Sequence, residues 1–392
     1  MKPGCATTRA RWSDGAGKRS LTENHLPENI RRFPARCPPA PDPVAGRLRF
    51  RGIRAAEGLI FEPDLMRFSD LRLAELFRSH GEVVDCRPVA GGCISDAWRV
   101  QVRLVARIDG PVHGANPPGF VDETSGQSTV SPAAVERAFL VKTKTAAFLE
   151  PYQREVEGLR ALAAVGAVRV PEPIQVRSIG DRAYLVTEWI ESAEPNSGNG
   201  AFFETFGRRL AALHRLSVGR RIGSDSDNFL GASRQINRPS DSWEDFVAQN
   251  RLGIQIRWAT DSGKADVTLR RDVDRVIESL GDLLHGRAEE TCLLHGDLWS
   301  GNYLRDLDGQ PVIFDPASYH GCREAEFGML LLFGGCPAEF FRGYEEEWPL
   351  PSGWRRRAEI YKLYHLLNHL NLFGEGYLSA CRRSVGNVLA GV

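Results

Sequence analysis

The chain has 392 residues, with 50 Lys and Arg balanced by 50 Asp and Glu, and 42% of its residues are hydrophobic. That length supports two lobes with separate cores, and the even charge argues against a nucleic-acid partner. No apolar run reaches the length that a bilayer-spanning helix requires, so no membrane partner is expected.

Residues 1–65 show no sustained periodicity, are rich in Pro and Arg, and are expected to form a disordered leader. Residues 1–60 carry twelve Lys/Arg against five Asp/Glu. A basic, acid-poor leader resembles an organellar transit peptide, while a plain tail or a start at Met66 remains open. No apolar segment follows Met1 as secretion would need, so the expected location is intracellular, in the cytoplasm or in an organelle. Eight cysteines lie at 5, 37, 86, 93, 292, 322, 336 and 381. None forms a CxxC pair, so most are expected as reduced thiols and zinc is not suggested.

Arg67 to His80 place Phe68, Leu71, Leu73, Leu76 and Phe77 at roughly helical spacing, which predicts a helix. Gly91 and Gly92 then precede a stretch in which Trp98, Val100, Val102 and Leu104 alternate with Arg99, Gln101 and Arg103. A glycine turn joined to a half-buried strand makes a β-hairpin lid. Residues 108–135 are rich in Gly, Pro, Ser and Thr and read as a surface insertion in that hairpin. Ala138 to Lys142 is the next strand, and the Lys at its end is hard to explain by sheet packing. Residues 152–165 form an amphipathic helix with Val156, Leu159, Leu162 and Ala163 on one face. Ala183 to Trp189 is a buried strand, and Ser192 to Gly200 reads as a linker.

From 201 onward the pattern is mainly helical, with segments at Phe206–His214, Asp241–Ala259, Leu269–Leu284 and Arg355–Phe373. The last turns Ile360, Leu363, Tyr364, Leu367 and Leu370 inward. Strands and turns return between 291 and 315, with Asp308-Gly309 as a hairpin turn. The expected fold is α+β and bilobal: a small β-rich N-lobe over 66–190 and a larger α-rich C-lobe over 191–392.

The chemistry concentrates in His295-Gly296-Asp297-Leu298-Trp299-Ser300-Gly301-Asn302 and in Val312-Ile313-Phe314-Asp315. A carboxylate stands five positions before a carboxamide, and a second carboxylate ends an apolar strand. The Asp297-to-Asn302 offset equals that of the protein-kinase catalytic loop, and Gly296, where protein kinases carry Arg, points to small-molecule acceptors. Phosphoryl transfer from ATP needs a glycine lid over the phosphates, a strand Lys, a Glu that orients it, a base and metal ligands. Gly91 and Gly92 supply the lid, Lys142 the cation and Glu155 its partner, with Glu157 as a rival. Asp297 is the candidate base, and Asn302 and Asp315 are candidate ligands for Mg2+. His365 and His369 are one helical turn apart, but Leu366 stands where a zinc-protease helix needs Glu, so they read as polar-face or pocket residues. Cys93, inside the lid, is a redox candidate because amides and cations there lower a thiol pKa.

With these residues in hand, the chain resembles the fructosamine-3-kinase family, also called ketosamine or ribulosamine kinases, over roughly residues 68–380. The similarity is carried by Gly91-Gly92-Cys93-Ile94-Ser95, Phe139 to Lys142, Glu155 to Leu159, and Asp227-Asn228-Phe229-Leu230-Gly231. His295 to Asn302, Asp315-Pro316-Ala317, and Tyr364 to His369 carry it further. The resemblance implies a protein-kinase-like fold, ATP and magnesium as cosubstrates, and phosphorylation of the third-carbon hydroxyl of a ketosamine, either a small molecule or a glycated protein. The product would shed its sugar, so the activity would be deglycation and protein repair. It also implies that Thr187, Glu188 and Ile190 line the adenine hinge and that His295 and Trp299 lie near the sugar. It makes Cys93 a candidate for a disulfide between two chains, so the expected state is a monomer or a redox-sensitive homodimer. The long insertion and the basic leader depart from the family pattern. The competing readings are another small-molecule kinase, for aminoglycosides or choline, and a redox-sensing nucleotide-binding protein without catalysis.

Overall fold

The structure, a computed structural model, describes residues 72–89, 96–104, 135–193, 200–219, 221–334 and 336–391. The leader, the lid residues Gly91, Gly92 and Cys93, and nearly all of the insertion over 108–135 lie outside the described residues.

The first described element, α1 (Leu73–Leu76), is a single turn; of the helix predicted across Arg67–His80, residues 67–71 lie outside the described residues and residues 77–80 are turns. Arg72 enters it at φ 47°, and the chain has become strand β1 by Gly81. Leu73, Leu76 and Phe77 still bury the predicted apolar face, against one side of a five-stranded sheet. Its strands are β1 (Gly81–Pro88), β2 (Asp96–Leu104), β3 (Glu136–Thr145), β4 (Pro173–Ile179) and β5 (Arg182–Glu188), in the order β1-β2-β3-β5-β4. Every pairing is antiparallel. The alternating strands β2, β3 and β5 are found where the pattern predicts them. The two edge strands were not anticipated: each has a neighbour on one side only, and both mix polar with apolar residues, so no clean alternation marks them.

Side chains of β3 separate by parity. Phe139 and Val141 join Val100, Val102, Tyr184 and Val186 in the layer under α1. Leu140 and Lys142 take the other face, which helix α2 (Leu149–Val165) covers by packing Tyr152 and Val156 on Ala183 and Leu185. Gly166 ends α2 in the left-handed region at φ 72°, a common stop signal because no Cβ opposes it.

The remaining chain is mostly helical. Helix α3 (Gly200–Leu216) leads to the hairpin β6 (Asn228–Leu230) and β7 (Ser233–Gln235). The helix predicted across Asp241–Ala259 is present as α4 (Trp243–Phe246), a π-helical segment (Val247–Gly253) that turns Asn250 and Arg251 inward, and α5 (Ile254–Asp261). Helices α6 (Val267–Glu278) and α7 (Leu280–Leu283) follow, with the Asp266 carboxylate capping α6 by accepting from the Leu269 amide. Strand β8 (Thr291–Leu294) precedes β9 (Tyr303–Arg305) and β10 (Pro311–Ile313), which form the hairpin expected around Asp308-Gly309; β8 pairs instead with β11 (Tyr319–Cys322).

Helices α8 (Phe327–Phe333), α9 (Ala338–Glu347), α10 (Trp354–Phe373) and α11 (Leu378–Leu389) complete the fold. A Cβ at Gly207 of α3 would lie 2.0 Å from the Phe340 carbonyl oxygen of α9, so these helices meet backbone to backbone. Helix α10 is buried around nearly its whole circumference. His365 and His369 therefore do not sit on a polar face: both are buried, and the His369 Nδ1 lies 2.7 Å from the His365 carbonyl oxygen. No helix among the described residues is long and apolar enough to cross a membrane, and the five described cysteines are free.

Candidate active site

A cavity of about 400 Å³ lies between the inner face of the sheet and the helical part of the chain. Val89 and Ala97, on either side of segment 90–95, line it from above with Leu140 and Lys142. Asp297, Trp299, Asn302 and Asp315 line it from the helical side, and Glu155 from α2.

Lys142 is the cavity's central cation. Its Nζ donates to Glu155 Oε1 at 2.8 Å and to Asp315 Oδ1 at 2.5 Å. Burial alone would depress the ammonium, but Asp315 and Glu155 outweigh it and hold Lys142 above the usual lysine range. One cation cannot fully neutralise two carboxylates, and Glu155, the more buried of the two, yields: burial pushes it up, Lys142 pulls it down, and Asp315 adds to the rise, leaving it at about 7. The expected pairing with Glu155 is present, and Glu157 is exposed and bonded to Arg154 instead. Asp315 reaches Lys142 because it sits at φ 59°, a left-handed conformation that Asp tolerates better than most residues.

Asp297 and Asn302 are joined locally. Asn302 Nδ2 donates to the Asp297 carbonyl oxygen at 2.8 Å and approaches Oδ2 at 3.3 Å, so its Oδ1 end is turned away from that carbonyl. Asp297 Oδ1 is buried and has no hydrogen-bond partner. Burial, then the nearby Asp315, pushes the Asp297 carboxyl well above its ordinary value. A buried carboxylate oxygen without a donor is a group that a ligand has to satisfy. These oxygen donors fit magnesium, which takes few protein ligands and completes its shell with water and phosphate. Among the described residues no three His, Cys, Asp or Glu cluster closely enough to hold a metal ion by themselves.

The loop is held from behind by Glu326, which the local sequence pattern did not reveal. Its carboxylate accepts from the His295 amide at 2.6 Å and from the Gly296 amide at 3.0 Å. His214 faces it at 3.5 Å, beyond good hydrogen-bond length, so the two amides are the firmer hold. Gly296 has φ 81°, and a Cβ there would stand 2.3 Å from the Ala317 carbonyl oxygen, so only glycine passes. Leu298 is fully buried and anchors the loop between Asp297 and Trp299. A main-chain bond from Phe314 to Asn302 ties the loop to the Asp315 segment.

Not every expected residue reaches the cavity. His295 is fully buried; its Nε2 lies 2.9 Å from the Phe314 carbonyl oxygen and its Nδ1 accepts from the Asp297 amide at 3.3 Å. Both ring nitrogens are occupied, so the expectation of a sugar contact is corrected to a loop brace. Trp299 does line the cavity and packs on Phe333, with ring centres 5.5 Å apart. Thr187 pairs with Leu140 across β3 and β5, one step beyond the lining. Glu188 and Ile190 also lie outside the lining, and the Glu188 carboxylate is bonded to Arg169 at 2.8 Å. Arg169 also donates to Asp306 at 2.8 Å, so it ties the exit of β5 to the β9–β10 hairpin.

Comparison with known proteins identifies the family. The fructosamine kinase family model matches residues 121–391. A Synechocystis protein named as a probable ketoamine kinase is 41% identical over 242 residues, covering 62% of this chain and 80% of that protein. The chloroplastic protein-ribulosamine 3-kinase of Oryza sativa subsp. indica is 38% identical over 256 residues, covering 64% and 72% of the respective chains. A solved structure assigned as a fructosamine-3-kinase from Thermobifida fusca superposes with a TM-score of 0.63 at 28% identity, covering 82% of this chain and 98% of that one. An aminoglycoside phosphotransferase at 14% identity and TM-score 0.53 shares the fold alone. The architecture is thus the protein-kinase-like one, and the chain belongs to the fructosamine kinase family.

Proposed function

We propose that this phosphotransferase moves the γ-phosphoryl group of ATP to the third-carbon hydroxyl of a ketosamine, a ribulose or fructose unit joined through nitrogen to lysine or a free amine. The observation that carries the reading is the convergence of Lys142, Glu155, Asp315, Asp297 and Asn302 on one cavity. The printed names of the relatives, ketoamine kinase and protein-ribulosamine 3-kinase, support the acceptor class. The phosphorylated product would be labile and release its sugar, which makes deglycation and repair of glycated amines the physiological outcome.

In this reading Asp297 Oδ1 accepts the hydrogen of the sugar hydroxyl. The hydroxyl oxygen forms the new bond to phosphorus, the bond from phosphorus to the β–γ bridging oxygen breaks, and ADP departs while the proton passes to Asp297. Glu326 and His295 keep the loop in register, so the base is already aimed. Lys142, oriented by Glu155, draws the phosphates toward the sheet. Magnesium, held by Asn302 and Asp315, would neutralise phosphate charge and favour the ionised form of Asp297. Trp299 offers a flat apolar wall to the sugar.

Incubating purified protein with ATP, magnesium and a panel of ribulose-lysine, fructose-lysine, choline and an aminoglycoside tests this. Phosphorylation of one or both ketosamines is expected. Transfer to choline or the aminoglycoside alone would replace the reading.

A further inference from the structure

One cation in the cavity is unused by this mechanism. Arg154 precedes Glu155 on α2 and lines the same cavity as Lys142, Asp297 and Asp315. Its Nη1 donates to both carboxylate oxygens of Glu157 at 3.0 and 2.8 Å. Its Nε is buried and has no hydrogen-bond partner. A guanidinium carries five N–H donors in a fixed plane, and pairing Nη1 with Glu157 leaves the Nε–H without an acceptor. An unpaired buried donor is costly and is relieved by any acceptor that enters.

The neighbouring groups do not supply that acceptor. Asn228, which lines the same cavity from β6, has its acceptor taken: its Oδ1 accepts from Gln235 and Asn237, while its Nδ2 donates to the Ser318 carbonyl. The Arg154 and Glu157 side chains are 28% and 57% exposed, so their ion pair is screened by water and yields readily to a better-placed anion. The geometry points to Arg154 as a specificity residue that binds an anionic oxygen of a cavity ligand, either a carboxylate on the acceptor or a phosphate of the nucleotide. The planar fork suits either group, and Glu157 acts as an internal stand-in until the ligand arrives. The inference rests on reading the cavity as the ATP and acceptor cleft.

Calorimetric titration of the full chain tests it, with a non-hydrolysable ATP analogue, adenosine, and two ketosamines that differ only by a carboxylate, fructose-glycine and fructose-methylamine. Arg154→Gln should weaken the anionic ligand about tenfold and leave the neutral ketosamine and adenosine unchanged. Arg154→Lys, which keeps charge without the fork, should recover part of that loss. Glu157→Gln removes the internal competitor and should tighten the same ligand about twofold. A loss with fructose-glycine but not fructose-methylamine assigns the acceptor carboxylate; a loss with the ATP analogue but not adenosine assigns a phosphate. Wild-type affinities throughout in Arg154→Gln, or equal losses for charged and neutral ligands, overturn the proposal. Because binding is read directly, a failure of ketosamine turnover would count against the kinase reading, while the nucleotide titrations would still decide this one.

Discussion

Glu326→Gln separates a loop brace from a bystander. Glu326 is 2% exposed, and its side chain accepts from the His295 and Gly296 amides at 2.6 and 3.0 Å. Glutamine keeps the shape but has one oxygen, so its NH₂ group faces the second amide, donor against donor. One charge-assisted hydrogen bond is lost and one buried N–H is orphaned, a combined cost of about 3 kcal/mol in folding stability. The same amides immediately precede Asp297, and a shift of about 1 Å in a reacting group costs on the order of 100-fold in rate. Urea denaturation should show the stability loss, and steady-state kinetics with a ketosamine should show kcat falling by about that factor. Nucleotide affinity, which depends on Lys142 across the cavity, should change little. The effect also has a pH signature. Burial alone would raise Glu326, but His214 and the His295 amide outweigh it and hold the carboxyl below its usual value. Its folded value lies below the unfolded one, so it contributes stability at neutral pH that is lost as pH falls through the carboxylate range. Glu326→Gln should therefore lose less stability than the wild type between about pH 5 and 3. A variant with wild-type stability, wild-type kcat and the same pH slope would refute the brace.

Three further outcomes follow from the geometry. Asp297→Asn should lower kcat on the order of 1,000-fold with nucleotide affinity nearly intact, since the amide cannot take the hydroxyl proton; near-normal turnover would remove Asp297 as base. Lys142→Met should weaken ATP binding about tenfold and leave Glu155 without its cation. Glu155 is then raised further, and an acid raised in the folded state loses its favourable contribution as pH rises, so this variant should be less stable at about pH 8 than at pH 6, as denaturant titrations at the two values would read. Burial, aided by His369 and Arg251, pushes His365 down to about 3. A histidine depressed in the folded state favours folding above its unfolded value, so the wild type should lose about 2 kcal/mol from this group between pH 6.5 and 5, and His365→Gln should not. Equal slopes for the two proteins would show that His365 protonates freely.

How much of this is legible in the sequence depends on the range of each interaction. The Asp297-to-Asn302 spacing encodes a local turn, because Asn302 Nδ2 reaches back to the Asp297 carbonyl at 2.8 Å. Lys142 stands out because β3 is a central strand whose alternation is strong, and a charge on its inward face has no packing role. Glu326 is hidden because its partner Gly296 is 30 residues away, and nothing local says which carboxylate returns to the loop. His295 misleads because its position beside Gly296-Asp297 does not reveal that the ring turns inward to the Phe314 carbonyl. The α9 segment carries Gly343, which weakens its helical pattern, yet a Cβ there would meet the Glu204 carbonyl oxygen of α3 at 2.2 Å, so the glycine serves a close crossing. Arg154 is passed over because an Arg three residues before a Glu on a helix is ordinarily a surface pair.

Product mapping on a ribulose- or fructose-lysine acceptor is the most direct measurement of the central claim. With ATP and magnesium, the wild-type protein should yield a single product phosphorylated at the third-carbon hydroxyl, and Asp297→Asn should yield almost none. Phosphate at another hydroxyl, equal product from both proteins, or nucleotide binding with no phosphorylated ketosamine would contradict it.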